Sequence, residues 1–351
     1  MKQLWIHIGL AKTATTTMQR MLFSRHPQIG YLGKNWIESE RAKLALLHMA
    51  RGPERKFDFQ EIKSAFEELT QWYEGADSEK RILLLSEEDL TTFRFIDPQV
   101  CARRAKMVFP KARVLLLIRE PIEWLQSMYF FRLSLRFPET LDGFNSWLKN
   151  GLERRFAGTD IGQIQIGTLL DTYVSCFGAE NLTVLRYEDL VSDGRVFILT
   201  LSELLGVDPR PALTLFDESG DLPFHKLRIT EAHKSFLEKY KLVILGCYRE
   251  YLDELVPLVA GLEKRPRRQA VEMMRIDMKD DRAAIEAKLK AVSAFLDRAC
   301  RHEFQEGKSA SAEVDLVLKE RVLEIWEPGA RVIAAQFNSA ANSYFSRSLP
   351  A

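Results

Sequence analysis

The chain has 351 residues, which is enough for one large α/β domain with additions or for two domains. Its formal net charge of +1 gives no global field that would mark a nucleic-acid binder, and no apolar run approaches the length of a membrane span. Four widely spaced cysteines form no metal or redox pattern, so we expect reduced thiols in a cytoplasmic protein.

Short apolar runs alternate with helical patterns through the first two thirds of the chain. They predict strands at 3–9, 28–32, 81–86, 112–118 and 182–187, and an amphipathic helix at 61–74. This alternation predicts an α/β fold in which helices cover both faces of a parallel sheet. The glycine-containing stretch 136–163 is predicted to be a mobile loop near an acceptor or a surface connection.

From about residue 210 no clear strand is predicted, and apolar stripes indicate helices at 285–299, 314–325 and 332–345. We therefore predict an α/β core over residues 1–210 and a mainly helical region over residues 211–351 that packs on it. The basic run at 264–268 is either a surface for an anionic acceptor or a solvated loop, and we favour the loop.

The first predicted strand ends in a turn that carries one lysine and four threonines before a helix begins. A strand, turn and helix point backbone N–H groups and a positive helix end at an anion. The turn is not a Walker A motif, because Ala11 precedes the lysine. An ordinary turn in which a threonine caps the helix is the alternative. The residues concerned are Lys12, Thr13, Ala14, Thr15, Thr16 and Thr17.

The fourth predicted strand ends at Arg119, and Pro121 can open the helix that carries Ser127. An arginine at a strand end can make a bidentate contact to a phosphate, and a serine on the facing helix turn can donate a hydrogen bond. A pairing of Arg119 with Glu120 or Glu123 is the alternative.

These two segments resemble the nucleotide motifs of the sulfotransferases that use 3′-phosphoadenosine-5′-phosphosulfate (PAPS). The pattern Lys-Thr-x-Thr-Thr after His-Ile-Gly resembles their 5′-phosphosulfate loop, although many relatives have glycine at the position of Ala14. Arg-x-Pro, followed by Ser-x-Tyr, resembles their 3′-phosphate motif, and Tyr-Glu-Asp-Leu at 187–190 is a third match. The resemblance implies a P-loop-like fold, PAPS binding at 12–17, Arg119 and Ser127, no metal, and Tyr187 on the adenine side. For Glu188 and Asp189 we favour helix capping.

Sulfuryl transfer releases a proton from the acceptor hydroxyl or amine, so a general base is useful. The third strand runs into Glu87 and Glu88 at the sheet edge where ligands of α/β folds bind. Carbohydrate sulfotransferases often have a Ser-Ser-Glu-x-Leu turn there, which aligns Glu88 with the proposed base and puts Glu87 in place of a serine. We favour Glu88 as the base over a helix start that is only rich in acidic residues, and Glu87 stays open as its neighbour. His7 and His225 are further candidates, although for His7 we favour a core histidine. The turn favours a carbohydrate or glycolipid acceptor over a small alcohol, a phenol or a peptide tyrosine.

Two other functions fit parts of this pattern. A nucleotide or small-molecule kinase also places a lysine-bearing loop after its first strand, but it usually needs Mg²⁺ and a strand-end aspartate. In this chain no Gly-Lys-Ser/Thr follows the first predicted strand. A non-catalytic nucleotide-binding scaffold of the same fold is the second alternative, which the lysine and the strand-end carboxylates disfavour.

Overall fold

A computed structural model describes residues 2–33, 39–76, 79–92, 95–134, 138–140, 142–154, 159–218 and 312–336. The predicted helix at 285–299, the basic run at 264–268 and His225 lie outside the described residues.

Five parallel strands form the central sheet, in the order β2-β3-β1-β4-β5. Their long apolar runs suit strands that are buried on both faces. All five predicted strands are confirmed, with ends that differ by at most a few residues. The strands are β1 (Gln3–His7), β2 (Ile29–Tyr31), β3 (Ile82–Ser86), β4 (Arg113–Ile118) and β5 (Leu182–Arg186).

Helices cover both faces of this sheet, as the α/β pattern predicts. The segment after β1 is a short helix, α1 (Thr15–Thr17), that continues directly as a π-helical segment, Met18–Phe23. The other helices are α2 (Glu40–Arg51), α3 (Phe59–Ala76), α4 (Pro98–Val108), α5 (Pro121–Ser134), α6 (Phe144–Glu153), α7 (Ile166–Phe177), α8 (Tyr187–Ser192), α9 (Gly194–Leu205), α10 (Pro209–Glu218) and α11 (Leu316–Gln336).

The core is built from alternating side chains of the strands. Trp5, Leu84 and Leu117 point to one face, where they pack with residues of α9 such as Phe197 and Leu201 in a single buried cluster. Because all the strands are parallel, the turns that follow β1, β3, β4 and β5 meet at one edge of the sheet. The sheet therefore brings the predicted site residues of these turns to the same edge.

Two sequence predictions about connections are wrong. The stretch 136–163 contains α6, whose Phe144, Trp147 and Leu148 are buried at helical spacing, so its glycines do not mark one long loop. The stripes at 314–325 and 332–345 predict two separate helices. Up to residue 336 they form the one helix α11, which continues through Pro328.

Helix α11 approaches α7 closely at a pair of glycines. A Cβ at Gly329 would clash with the backbone of Gly167, so only a glycine lets the two helices come this near. Val322, Trp326 and Ile333 of α11 are buried on the same side of the helix. This packing stabilises α11 despite the hydrogen bond that Pro328 removes.

The described residues form two compact units. The first takes in those of Met1–Trp124, Asp160–Phe224 and Glu320–Ala351, and the second takes in those of Leu125–Thr159 and His225–Lys319. The first unit contains the whole sheet. A core that ends near residue 210 stays a prediction. None of the described helices is long and apolar enough to cross a membrane.

Candidate functional site

The chain follows β4 for three residues beyond the end of β1 and then turns sharply. The N–H groups of Ile8 and Leu10 donate to the carbonyls of Leu115 and Leu117, at 2.9 and 2.8 Å. Lys12 and Ala14 then adopt left-handed backbone conformations, with φ of 67° and 62°. The hydroxyl of the buried Thr13 donates to the Leu10 carbonyl at 2.6 Å and closes the turn. We call residues 9–17 the binding loop.

Ala14 takes a conformation that usually requires glycine. A left-handed backbone costs a non-glycine residue about 1–2 kcal/mol. The Ala14 side chain recovers part of this cost, because it packs against the apolar cluster and lines a small apolar pocket with Met18, Leu190 and Ile198. The chain therefore tolerates a Cβ where many similar loops have none.

Ala14 is also the N-cap of α1, and no side chain caps this helix end. The predicted alternative of a threonine cap is therefore wrong, because the capping position has no hydroxyl. Thr15 is buried, Thr16 is exposed and Thr17 is half-buried at the start of the helix. The first N–H groups of the helix are thus not bonded to a capping side chain, which is the arrangement that suits an anion.

Arg119 joins the ends of three strands at the sheet edge. It follows β4, its Nη1 donates to the carbonyl of Lys12 at 3.2 Å, and its guanidinium lies 4.5 Å above the ring of Tyr187, the residue after β5. It also pairs with Glu123 at 3.3 Å, but that carboxylate is 62% exposed and the pair is weak. Within the described part of the chain, the buried Nε of Arg119 has no hydrogen-bond partner.

Lys12 shares this region with Arg119, and its pKa is lowered. Partial burial is the main cause, and the nearby positive charge of Arg119 adds to it. Both effects disfavour the charged form of Lys12, and an anion bound at the loop would offset them. The indole Nε1 of the buried Trp124 donates to the Ala11 carbonyl at 2.7 Å and fixes the start of the turn.

Two glutamates hold the turn between β4 and α5. Glu120 accepts hydrogen bonds from the N–H groups of Ile122 and Glu123 and so caps α5. Burial raises the pKa of Glu120. Glu188 accepts from the N–H of Glu120 at 2.7 Å, so it binds the start of α5 rather than its own helix. These contacts fix the backbone that follows Arg119.

The three acidic residues after β3 have different partners. Glu87 is buried, and its Oε1 accepts from the N–H of Asp89 at 3.2 Å, which caps the 3₁₀ turn Glu88–Thr91. Asp89 forms an ion pair with Arg51 of α2. Glu88 is half-buried, and its Oε1 accepts from Nε2 of Gln19 at 3.1 Å. Of the two residues predicted as the general base, Glu87 has its carboxylate bonded to the backbone of its own turn, and Glu88 does not.

His7 is fully buried in β1 and bonds to β3. Its Nδ1 lies 2.8 Å from Oγ of Ser86, and no described residue is bonded to its Nε2. Burial lowers the pKa of His7 to about 3, so the ring is neutral at physiological pH. This is the environment of a core histidine inside the sheet.

Ser127 lies half-buried on α5, in the second unit, and Tyr187 is buried at the start of α8. The structure thus brings Lys12, Arg119 and Tyr187 together, and it places Glu88 at the same sheet edge. Sequence reasoning missed Gln19. Its position in the helix after the binding loop was the available signal, but its hydrogen-bond partners, Ser86 and Glu88, lie 67 and 69 residues away in the chain.

Comparisons with known proteins show which proteins the chain is similar to. A model of the sulfotransferase family matches residues 6–211, which is more than half of the chain. No curated protein shows significant similarity to it. A sulfotransferase from Alicyclobacillus acidocaldarius has 18% identity over 60% of this chain and 83% of its own, with a TM-score of 0.43. The sulfotransferase domain of the Synechococcus PCC 7002 olefin synthase has 17% identity over 64% of this chain and 82% of its own, with a TM-score of 0.34.

Proposed function

The chain belongs to the sulfotransferase family, and we propose that it transfers the sulfuryl group of PAPS to a hydroxyl or amine of a carbohydrate or glycolipid acceptor. The observation that carries the proposal is the position of Arg119. Its guanidinium contacts both the binding loop and Tyr187, so the ends of β1, β4 and β5 form one cationic site.

PAPS carries two separate anionic groups, and the site has cations and hydrogen-bond donors that suit both. The binding loop, with Lys12 and the uncapped start of α1, suits the 5′-phosphosulfate. Arg119 suits the 3′-phosphate, because its buried Nε has no partner among the described residues and an anion would satisfy it. Ser127 is the proposed second donor to that phosphate, and Tyr187 the proposed contact of the adenine.

When bound, PAPS supplies an activated sulfuryl group and a bisphosphate leaving group. Lys12 stabilises the negative charge that grows on the leaving phosphate, together with the N–H groups of the loop. Trp124 holds the loop through the Ala11 carbonyl, so these donors are fixed before the reaction begins. The proposed donor chemistry uses no metal.

Glu88 is the proposed general base that accepts the proton of the acceptor. Glu87 is less suited, because its side chain is buried and bonded to the backbone of its own turn. We expect Glu88→Gln to lower turnover about 10²–10⁴-fold, the usual contribution of a general base, with unchanged affinity for adenosine 3′,5′-bisphosphate. Glu87→Gln is the matched control and should lower turnover much less. The opposite result would move the role of base to Glu87.

Further observations support the proposed class of acceptor and the proposed compartment. The acidic turn after β3 resembles that of carbohydrate sulfotransferases and supports a carbohydrate acceptor. The net charge of +1 gives no reason to expect a nucleic-acid partner. Cys101 and Cys176 are free thiols, which supports the cytoplasm as the proposed location.

A comparison of nucleotides tests the donor directly. We expect adenosine 3′,5′-bisphosphate to raise the thermal unfolding midpoint, because a ligand that binds only the folded state stabilises it. ATP with Mg²⁺ should raise the midpoint less at the same concentration. Stabilisation by ATP with Mg²⁺ and none by the bisphosphate would contradict the proposal and favour a kinase.

A further inference from the structure

Gln19 occupies an unusual turn of helix directly after the binding loop. It is the second residue of the π-helical segment Met18–Phe23, where the N–H of Ser24 donates to the Gln19 carbonyl, five residues back, at 3.1 Å. Single π-helical turns of this kind occur frequently at functional sites. The Gln19 side chain is only 2% exposed, so burial requires its amide to be hydrogen-bonded.

The amide nitrogen of Gln19 makes two hydrogen bonds to β3 and the turn that follows it. Its Nε2 donates to Oγ of Ser86 at 2.9 Å and to Oε1 of Glu88 at 3.1 Å. A glutamine amide has two N–H donors, and both are used here. Ser86 is itself bonded to the buried His7 at 2.8 Å. One N–H of the buried amide is therefore used by Ser86, and the second is aimed at Glu88.

We propose that Gln19 is a positioning residue that holds the Glu88 carboxylate at the sheet edge and connects it to the binding loop. This inference rests on the proposed role of Glu88 as the base. Gln19 lies five residues after Ala14 on one continuous helical segment, so the backbone that begins at the loop also carries the group that orients the carboxylate.

The arrangement leaves one carboxylate oxygen for the acceptor. The Gln19 amide occupies Oε1, whereas the structure describes no hydrogen bond to Oε2 of Glu88. An amide holds a carboxylate without neutralising it, unlike the Arg51 cation that pairs with the adjacent Asp89. Gln19 thus orients Glu88 and leaves it able to accept a proton.

A purely structural role for Gln19 is the competing explanation, in which the amide only satisfies the buried Ser86. Two variants separate these roles. Gln19→Met keeps the length of the side chain but removes both N–H donors. Ser86→Ala removes the buried partner and leaves the bond between Gln19 and Glu88.

We expect Gln19→Met to lower kcat about 10- to 100-fold, because a small misplacement of a reacting group costs on this scale. Its affinity for adenosine 3′,5′-bisphosphate should stay at the wild-type value. Ser86→Ala should retain most of the wild-type kcat. A wild-type kcat for Gln19→Met, or an equal loss in both variants, would overturn the proposal.

The contact can also be measured without turnover, by NMR of the Gln19 side-chain amide. Glu88→Gln should shift the two Nε2–H signals of Gln19, whereas Glu87→Gln should leave them in place. Unshifted signals in Glu88→Gln would overturn the contact itself. If the signals shift but the wild-type protein transfers no sulfuryl group, the proposed function fails and the contact stands.

Discussion

Replacing Arg119 by alanine tests the proposed 3′-phosphate site. The guanidinium gives up one hydrogen bond to a carbonyl, one weak ion pair and its contact with the Tyr187 ring. The ring contact and the exposed pair together contribute about 1–2 kcal/mol to folding. A charge-assisted hydrogen bond to a phosphate contributes about 1.5–3 kcal/mol, which corresponds to about 10- to 150-fold in affinity. The difference in affinity between a nucleotide with the 3′-phosphate and one without it therefore measures the phosphate contact separately from the loss of stability.

The assay is calorimetric titration of Arg119→Ala with adenosine 3′,5′-bisphosphate and with adenosine 5′-phosphate. Affinity for the bisphosphate should fall by the factor above, and affinity for the monophosphate should change little. Arg113→Ala is a matched control, because Arg113 lies at the opposite end of β4 with its guanidinium 4.5 Å from the Trp5 ring. Equal losses for both nucleotides, or an equal loss in the control variant, would refute the assignment.

Three further predictions concern the binding loop and the strand before it. Lys12→Ala should lower turnover more than affinity for the bisphosphate, and turnover within a few fold of wild type at saturating substrates would exclude its role. Ala14→Gly relieves about 1 kcal/mol of backbone strain but loses about 0.8 kcal/mol of methyl burial, so urea unfolding should show little change. Ala11→Gly, its control, should destabilise the protein by about 0.4–1 kcal/mol, because glycine gives the unfolded chain more conformational freedom. Because the pKa of His7 is about 3 in the folded protein, only the unfolded chain binds its proton as pH falls below about 6.5. The free energy of unfolding should therefore fall as the pH is lowered from about 6.5 to about 3, and it should fall less steeply in His7→Gln. Equal slopes of unfolding free energy against pH in the two proteins would contradict this.

The strands could be predicted because burial on both faces leaves a continuous apolar signal. Val114 to Ile118 and Ile82 to Leu85 are almost uninterrupted apolar runs, and polar residues follow each of them. The same reasoning located Arg119 and the acidic turn at the strand ends. Parallel pairing then brings these turns to one edge, as the order of strands confirms.

The loop conformation could not be predicted in the same way. A positive φ is usually indicated by glycine, whereas here Lys12 and Ala14 adopt it. Tertiary contacts stabilise this loop conformation, since Arg119 donates to the Lys12 carbonyl and the Ala14 methyl packs against the apolar cluster. Such contacts depend on residues more than a hundred positions away.

The partners of the acidic residues were also beyond sequence reasoning. Glu87 and Glu88 are adjacent and chemically identical, and only the fold shows that one caps a turn while the other meets Gln19. Helix α6 was missed for a different reason, because the glycines around it outweighed the apolar spacing of Phe144, Trp147 and Leu148.

Mass spectrometry of reaction products tests sulfuryl transfer from PAPS most directly. The protein is incubated with PAPS and a panel of carbohydrates, glycolipids, alcohols, phenols and amines. We predict an acceptor whose mass increases by one sulfuryl group, an equal amount of adenosine 3′,5′-bisphosphate, and strongly reduced formation of both products by Glu88→Gln. Wild-type protein that forms neither product with any acceptor, but phosphorylates one of them with ATP and Mg²⁺, would contradict the proposed function.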